Sequence, residues 1–548
     1  MKKYTIGVDF GTLSARAALI DLENGSEASL CELVYPHAIL NGVDISGINN
    51  SENVQMQLQH PQDYLDALSF TVKGVVEKSR VSPCDIVGIG IDFTACTMLP
   101  IASDGTPLCF FEKYKKQPHA YAKLWKHHGA QKEADEITSL AKENSCEWLD
   151  IYGGKISSEW LFPKIYETLN KAPEVFDDTY RFIEAGDWIA LMLTGQESHN
   201  SCMAGYKGLW NKKDGYPKND FWGKLDARLS NLLGTKVCDK VIATGTRAGQ
   251  ISSHGALLTG LCEGTAVASP IIDAHAALPA AGISDEGKLM LIIGTSSCHI
   301  IMSNDGENVP DICGSVQDGI IAGLCAHEAG QVCVGDSFDW FVKNCVPEEY
   351  QKKARQKGVS IFSLLDEKAQ KKDVGESGLV ALDWFNGNRT PYSDADLSAM
   401  IVGLTLNTRP EDIYRAILES TAFGTKTIVD IYEKNGVAVD EIYAAGGISR
   451  KNDFLMQMYS DVLGKRINVT SSAQAAAKGS AIFASVAGGY FDDARSAVAA
   501  LSDKVAKVYE PNLNNTEKYK KLYDAYLSLS QYFAKASDVM KKLRSRGE

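Results

Sequence analysis

The stretch Tyr4-Thr-Ile-Gly-Val-Asp-Phe-Gly-Thr-Leu-Ser-Ala-Arg-Ala-Ala-Leu-Ile-Asp21 at the start of the chain decides the fold. Apolar runs on both sides of Gly11-Thr12 predict a strand, a tight turn and a second strand. Near mid-chain the pattern returns in Leu289-Met-Leu-Ile-Ile-Gly-Thr-Ser-Ser-Cys-His-Ile-Ile-Met302, where Gly294-Thr-Ser-Ser297 aligns with Gly11-Thr-Leu-Ser14. This internal repeat indicates two halves that arose by duplication.

The composition is that of a globular protein. Hydrophobic residues make up 45% and charged residues 23% of the 548 residues, which excludes collagen-like, mucin-like and wholly disordered chains. The length predicts two to four domains of about 150 residues each. Lys and Arg number 56 against 69 Asp and Glu, so the formal net charge is −13. We therefore expect neither nucleic acid nor an anionic membrane as a partner, because this charge attracts neither.

The cysteines and the apolar segments indicate a cytoplasmic protein. The 13 cysteines include no Cys-x-x-Cys pair, so we expect reduced thiols packed as small hydrophobes rather than zinc or redox sites. Residues 4–8 are too few for the core of a signal peptide. The longest small-apolar stretch, residues 265–283, contains Asp273 and His275, which argues against a membrane span.

A segment rich in Gly, Ser and Thr, residues 244–260, predicts the division between the halves. We expect an N-terminal domain over 1–250 and a C-terminal domain over 251–548 that ends in an amphipathic helix over 516–543. Apolar spacing elsewhere predicts buried strands over 85–93, 441–445 and 467–470, and helices over 61–80, 339–346, 410–432, 452–463 and 473–487.

Three Gly-rich elements predict a site for a nucleotide. The tip of a Gly-Thr hairpin exposes backbone amides that can surround phosphate oxygens. One such hairpin from each half, facing across a cleft, would bind a triphosphate from both sides. The third element, Ala444-Ala-Gly-Gly-Ile-Ser-Arg450, joins a strand to a helix, where α/β domains contact nucleotides. The P-loop, Rossmann and protein-kinase motifs are absent from the sequence, which disfavours those classes.

Two aspartates are candidates for the chemistry. Asp9 ends the first strand beside the hairpin tip, where a carboxylate suits Mg²⁺, held directly or through water; the alternative is an aspartate that caps the turn. Asp273 stands among apolar neighbours and could take the proton from an attacking hydroxyl. The alternative, an N-cap for a helix that starts at Ala274, is compatible with that role. We interpret His275 as a packed or orienting residue.

The motifs Asp9-Phe-Gly-Thr-Leu-Ser14, Asp273-Ala-His275, Ile293-Gly-Thr-Ser-Ser297 and Gly446-Gly-Ile-Ser449 resemble the FGGY carbohydrate kinases, within the actin/hexokinase superfamily. The resemblance extends from residue 4 to about residue 490. It implies an α/β fold of two ribonuclease-H-like domains around a hinged catalytic cleft, with ATP as phosphoryl donor and Mg²⁺ as cofactor.

Further motifs narrow the resemblance to a branch of that family that acts on ketopentoses. They include Asp92-Phe-Thr-Ala-Cys-Thr-Met-Leu-Pro100, Gly205-Tyr-Lys-Gly-Leu-Trp210 and Leu382-Asp-Trp-Phe-Asn-Gly-Asn-Arg389. The resemblance implies phosphorylation of L-ribulose at O5 in arabinose catabolism. A homodimer is compatible with the sequence.

The resemblance also implies roles for single residues. Asp273 corresponds to the catalytic base, and the sugar is expected to contact Ala95, Lys207, Asp273 and Glu328. For Lys207, an exposed loop lysine is the alternative. The nucleotide is expected to contact Gly11, Thr12, Ser14, Gly294, Thr295, Gly335, Asp339, Gly446, Gly447 and Asn452, with Asp9 at the metal. In relatives of the glycerol-kinase type the first loop reads Gly-Thr-Thr-Ser, so Leu13 removes one hydroxyl here.

Three rival functions remain at this stage. The first is another FGGY kinase, for xylulose, ribitol or glycerol. The second is an actin-like or chaperone-like ATPase, which would hydrolyse ATP without a sugar and bind a protein partner. The third is a sugar-binding regulator on an inactive kinase scaffold; the presence of both Asp9 and Asp273 argues against it, because a regulator needs neither carboxylate.

Overall fold

The computed structural model describes residues 2–304, 308–471, 474–535, 539–540 and 542. The first half contains strands β1 (Tyr4–Phe10), β2 (Ser14–Asp21), β3 (Glu27–Val34), β4 (Leu58–Gln59), β5 (Ile86–Phe93), β6 (Met98–Ile101), β7 (Ala122–Lys123), β8 (Arg181–Glu184), β9 (His199–Asn200), β10 (Val241–Ile242), β11 (Arg247–Gln250), β12 (Ala266–Ala268) and β13 (Ile271–Ile272). Its helices are α1 (Gly42–Ser46), α2 (Ser51–Gln55), α3 (Pro61–Ser79), α4 (Gln131–Glu143), α5 (Leu161–Lys171), α6 (Pro173–Asp178), α7 (Ala185–Thr194), α8 (Ser201–Lys207), α9 (Asn219–Leu225), α10 (Leu232–Thr235), α11 (Ser253–Thr259) and α12 (Asp273–Ala280). Short 3₁₀ helices lie at Pro83–Asp85, Leu108–Phe110, Glu112–Tyr114, Pro118–Ala120, Glu147–Tyr152 and Ala227–Leu229.

A mixed seven-stranded sheet organises the first half, in the order β11-β12-β5-β1-β2-β3, with β13 also paired to β5. The predicted hairpin is confirmed as β1 and β2, and β1 runs parallel to β5 with Asp9 beside Asp92. β13 runs parallel to the end of β5. Because the carboxyl ends of parallel strands share one edge, Asp9, Asp92 and Asp273 come together at that edge.

The second half repeats the plan. Its strands are β14 (Lys288–Ile293), β15 (Ser297–Ser303), β16 (Gly314–Gln317), β17 (Cys325–Gln331), β18 (Val380–Leu382), β19 (Met400–Val402), β20 (Glu441–Ala445), β21 (Ile467–Thr470) and β22 (Val505–Tyr509). Its helices are α13 (Gly335–Cys345), α14 (Glu348–Lys357), α15 (Ile361–Ala369), α16 (Pro410–Lys434), α17 (Gly447–Lys451), α18 (Asp453–Leu463), α19 (Ala475–Ala487), α20 (Ala494–Leu501) and α21 (Leu513–Lys535).

The second sheet has the order β16-β17-β15-β14-β20-β21-β22. The predicted second hairpin is confirmed as the antiparallel pair β14 and β15, and β20 runs parallel to β14. The helices predicted over 473–487 and 516–543 correspond to α19 and α21, and residues 473, 536–538, 541 and 543 lie outside the described ranges. No helix in the described part of the chain is long and apolar enough to cross a membrane.

Helix α19 crosses from the second half and packs on the first sheet. A β-carbon on Gly7 of β1 or on Gly90 of β5 would overlap backbone carbonyls of α19, and one on Gly479 of α19 would overlap the backbone of α12. The absence of these β-carbons therefore lets the helix backbone lie directly on the strands. Ser480 of α19 donates a hydrogen bond to Asp92 Oδ2 at 2.6 Å, so this contact reaches the aspartate edge.

The segment 244–260 is part of the first sheet rather than a linker. It forms β11, an outer strand, and α11. The first sheet extends to Ile272 and the second begins at Lys288. We therefore propose that the halves divide between α12 and β14 and not at residue 250; glycine and serine here mark turns at a sheet edge.

Two cysteines differ from the expectation of reduced thiols. Cys84 and Cys262 form a disulfide with their Cα atoms 5.6 Å apart, within the range for this bond. Cys84 precedes β5 and Cys262 precedes β12, and these strands are parallel neighbours, so both residues reach the same sheet edge. The prediction was wrong for this pair because a separation of 178 residues conceals their proximity.

Candidate active site

Two carboxylates lie side by side at the ends of β1 and β5. Asp9 is buried, and its Oδ2 accepts a hydrogen bond from Arg16 Nη1 at 3.1 Å. Burial raises the pKa of the Asp9 carboxyl even though this guanidinium is adjacent. Asp92 is fully buried, and burial, followed by the charge of Asp9, raises its pKa well above the usual range. Its Oδ1 is buried and accepts no hydrogen bond from an N–H group of the described residues.

Asp273 links this edge to the second sheet. It is the first residue of α12, and Ile272 is the N-cap, so the N-cap interpretation was wrong by one position. Its Oδ1 accepts a hydrogen bond from the Ala274 N–H at 2.7 Å. The surrounding protein desolvates the carboxyl although it keeps a partial opening to solvent; this burial, then the charges of Asp9 and Glu328, raises its pKa to about 7. Asp273 therefore titrates near neutral pH, as a general base requires.

A buried charged cluster lies beside Asp273. Glu328 of β17 approaches Lys207 Nζ at 3.9 Å and His275 Nε2 at 3.1 Å. Burial opposes the charge of Glu328, but Lys207, His275 and Arg389 outweigh it and lower the pKa of Glu328 to about 2. The Lys207 side chain is 16% exposed and lies over the ring of Trp160. The alternative interpretation of Lys207 as an exposed loop lysine was therefore wrong. The cluster offers both donors and acceptors to a polyhydroxy substrate.

Ala95 lies in the loop between β5 and β6 and is half-buried. The N–H of Thr94 donates to the carbonyl of Phe10 at 3.3 Å, which joins this loop to the end of β1. Cys96 adopts a positive φ of 54° and its carbonyl accepts a hydrogen bond from the buried Lys164 Nζ at 2.6 Å. These contacts hold the backbone around Ala95 next to the aspartate edge.

The first hairpin tip is braced by side chains outside it. The Gly11 N–H donates to the Ser14 carbonyl at 3.0 Å, and the hydroxyl of Thr12 accepts from Trp125 Nε1 at 3.2 Å. The hydroxyl of Ser14 donates to Glu32 Oε1 at 2.9 Å. Gly11 and Thr12 therefore form the tip, whereas the Ser14 side chain is engaged on the neighbouring strand β3.

The second hairpin tip packs against two other predicted nucleotide elements. The N–H of Gly335 donates to the Gly294 carbonyl at 3.0 Å, and Val334 N–H donates to the Thr295 carbonyl at 2.7 Å. A β-carbon on Gly335 would lie 2.7 Å from the Gly294 carbonyl oxygen, and one on Gly446, whose φ is +104°, would overlap the carbonyl of Ile293. The structure thus brings these glycines into one place, where only glycine fits.

The remaining predicted nucleotide residues lie around this group. Asp339 is exposed one turn into α13. A β-carbon on Gly447 would face open space. Asn452 is the N-cap of α18: its Oδ1 accepts from the Leu455 N–H at 2.9 Å, and its Nδ2 donates to Asp366 at 3.2 Å. The Asn452 side chain is therefore engaged in holding α18 to α15.

Two further residues of this region were not among the predicted site residues. Asp92 stood within a quoted motif, and an acid at the end of a strand parallel to β1 was the available signal. Arg389 ends the motif that begins at Leu382, but no local pattern indicates that its charge acts on Glu328, 61 residues earlier in the sequence (389 − 328).

Two α/β halves that each contribute a Gly-Thr hairpin, with acidic side chains where the sheets meet, define the actin/hexokinase class of two-domain fold. The models of the FGGY family of carbohydrate kinases match residues 4–279, for the N-terminal domain, and 289–488, for the C-terminal domain. The chain belongs to this family and is a carbohydrate kinase.

Relatives and solved structures agree with that assignment. The chain is 44% identical to the ribulokinase of Bacillus licheniformis over 97% of each chain, and 45% identical to that of Geobacillus thermodenitrificans over 99% of this chain and 97% of the relative. The crystal structure of xylulose kinase from Rhodospirillum rubrum superimposes with a TM-score of 0.81 at 20% identity, covering 98% of this chain and all of that one. At this identity the likeness shows the fold alone.

Proposed function

We propose that this kinase transfers the γ-phosphoryl group of ATP to O5 of L-ribulose, giving L-ribulose 5-phosphate in arabinose catabolism. Relatives named ribulokinase at 44–45% identity over the whole chain support the substrate. The observation that carries the chemistry is the position of Asp273, which begins α12 directly after the strand that pairs with the end of β5 and is close enough to Asp9 and Glu328 for their charges to raise its pKa. A base at that point can face both an acceptor hydroxyl and a phosphate.

The residues at the aspartate edge fit Mg²⁺. Among the described residues no group of three or more His, Cys, Asp or Glu side chains could hold a metal ion, so a complete protein cage is not available. Mg²⁺ commonly binds through one or two carboxylates together with waters and substrate phosphates. Asp9 would hold it, directly or through water, beside the unpartnered Asp92 Oδ1. The ion would neutralise phosphate charge during transfer.

The acceptor side of the reaction follows from the charged cluster. Lys207 and Glu328 would bind sugar hydroxyls, with the Ala95 loop against the sugar, and so hold O5 at Asp273. Asp273 accepts the proton from O5 as this oxygen forms its bond to the γ-phosphorus. The bond between that phosphorus and the β–γ bridging oxygen breaks, and ADP leaves with the electron pair. The protonated Asp273 then releases its proton to solvent.

The donor side relies on backbone amides. A net charge of −13 repels ATP from the protein as a whole, so local donors must offset it. At the two hairpin tips the N–H groups of Gly11 and Gly294 are bonded to the carbonyls of Ser14 and Ser296. The amides that would bind phosphate are therefore those of Thr12 and Thr295, together with the turn at 446–447. Helix α13 begins at Gly335 against the second tip. A cytoplasmic location accompanies this proposal, because ATP is available there.

A substrate panel tests the proposal. ADP release is measured with L-ribulose, D-xylulose, ribitol and glycerol, and without sugar. The expected result is the highest kcat/KM with L-ribulose and negligible ADP release without sugar. Equal ADP release without sugar would instead indicate an ATPase with a conformational output, and sugar binding without turnover would indicate a regulator. Light scattering against the chain mass of 59.6 kDa tests the homodimer.

A further inference from the structure

Arg389 brings a guanidinium from the second half to the charged cluster. It lies in the loop between β18 and β19 and is half-buried. Its Nη1 lies 3.3 Å from where a β-carbon on Gly330 would stand, so the side chain packs on bare backbone of β17. Gly330 follows Glu328 by two residues on the same face of the strand. Arg389 therefore lies beside the proposed sugar position.

The loop that carries Arg389 is fixed on both sides of the cleft. The hydroxyl of Thr390 accepts a hydrogen bond from the Gly330 N–H at 3.3 Å. The carbonyl of Ser393 accepts one from Lys155 Nζ, in the first half, at 3.2 Å. The guanidinium is thus presented by a loop that is attached to β17 and also contacts the first half, which is the arrangement of a preorganised binding group.

The guanidinium itself has no partner. Its five N–H groups form no hydrogen bond and no ion pair within the described part of the chain. Its positive charge nevertheless acts on the cluster: it lowers the pKa of Glu328 and counteracts the rise in the pKa of Lys207. The carboxylate oxygens of Glu328 face His275 and Lys207 instead. No Arg389 nitrogen is among the fully buried polar atoms without a partner in the described part of the chain, so the guanidinium donors remain accessible and can bind acceptors that arrive with a ligand.

We propose that Arg389 is a substrate-binding residue that donates hydrogen bonds to oxygens of the sugar held beside Glu328 and Lys207. The inference rests on the proposed function, since it assigns Arg389 to that substrate. A planar guanidinium presents paired donors, which match the neighbouring oxygens of a ketopentose. The sugar site would then be built from both halves of the chain.

The test compares Arg389→Met and Arg389→Lys with the wild type. Loss of a charged donor should raise the KM for the sugar, and its Kd by calorimetry, about 10- to 100-fold in Arg389→Met. The KM and Kd of Arg389→Lys for the sugar should lie between those of the wild type and of Arg389→Met, because lysine keeps the charge and loses the paired donors. The KM for ATP should stay within about twofold, because these variants keep the contact of this loop with a nucleotide element, the ring of Phe385 against Trp340 of α13.

Lys155→Gln is the comparison variant, because it removes one contact of the same loop and keeps the guanidinium. It should raise the Kd for the sugar by less than Arg389→Lys does. An unchanged sugar Kd in Arg389→Met would overturn the inference, as would equal increases of both KM values together with a lower Tm, which indicate a structural role. Each variant is measured with whichever panel sugar the wild type phosphorylates best, so a wrong substrate would refute the proposed function without deciding the role of Arg389.

Discussion

Replacement of Asp273 by asparagine tests the assignment of the base most directly. Asparagine has the same shape and its Oδ1 can still accept the bond that Ala274 N–H donates at 2.7 Å, so the start of α12 is retained. What is lost is a carboxylate whose pKa of about 7 suits proton transfer at neutral pH. Loss of a general base lowers kcat about 10²- to 10⁴-fold, equivalent to about 2.7–5.4 kcal/mol in activation free energy.

The stability of this variant should move in the opposite direction. Asp273 ionises in the native state against burial and the charge of Asp9, so ionisation costs folding free energy near and above pH 7. Neutral asparagine avoids that cost, and we expect a Tm equal to or above that of the wild type by differential scanning fluorimetry at pH 8. The Kd for L-ribulose should change no more than a few-fold.

The assay is ADP release at saturating ATP and sugar, with Asp285→Asn as control. Asp285 follows α12, is half-exposed and pairs with Arg495 at 3.0 Å, so its replacement should leave kcat unchanged. A kcat of Asp273→Asn within about tenfold of the wild type would refute the base. A loss of both kcat and Tm would show that the carboxyl is structural.

Five further outcomes are expected. Because Asp273 must be deprotonated to act, kcat/KM should fall about tenfold per pH unit below about pH 7; a flat profile down to pH 5.5 would contradict this. The pKa of Asp273 is higher in the folded than in the unfolded chain, so the unfolded chain ionises first and the free energy of unfolding should decrease as the pH rises from about 4 to about 7. Urea titrations of the wild type and of Asp273→Asn at several pH values in this range isolate the contribution of this carboxyl. Glu328→Gln removes the charge that the buried lysine and histidine face, so the sugar KM should rise at least about tenfold, with an unchanged KM for ATP, and an unchanged sugar KM would exclude a role in binding. Gly335→Ala places a β-carbon 2.7 Å from a carbonyl of the second hairpin, so the KM for ATP should rise while sugar Kd is kept. Cys84→Ser should lower the free energy of unfolding by about 2–5 kcal/mol without affecting kcat. Dithiothreitol should lower the Tm of the wild type in the same way, because it reduces the bond between Cys84 and Cys262; equal Tm values with and without reductant would exclude a stabilising disulfide.

Some features could be predicted because a short stretch of sequence specifies each of them. They are the two hairpins, the strand ending at Ala445 and the position of Asp273. Alternating apolar residues and a Gly-Thr turn specify a hairpin without reference to the rest of the chain. Asn452 was expected near a helix start, and it is the cap of α18. Two copies of one local pattern were enough to indicate the paired halves.

The features that could not be predicted depend on strand order. Asp92 meets Ser480 across 388 residues, and the disulfide spans 178. Segment 244–260 has the composition of a linker, yet β11 pairs with β12 at the sheet edge. Such contacts arise only when non-neighbouring strands and helices pack, and the propensity of a short segment carries no information about its distant partner.

The return of α19 to the first sheet has a consequence for how the molecule can be divided. Its backbone rests on the glycines of β1 and β5, so a piece of the protein that stopped after α12 would leave bare strands facing water at the aspartate edge. The two homology regions are consequently not two independent folding bodies. Expression of either alone should yield an aggregating product, and permuted or split versions would have to keep residues 475–487 with the N-terminal piece.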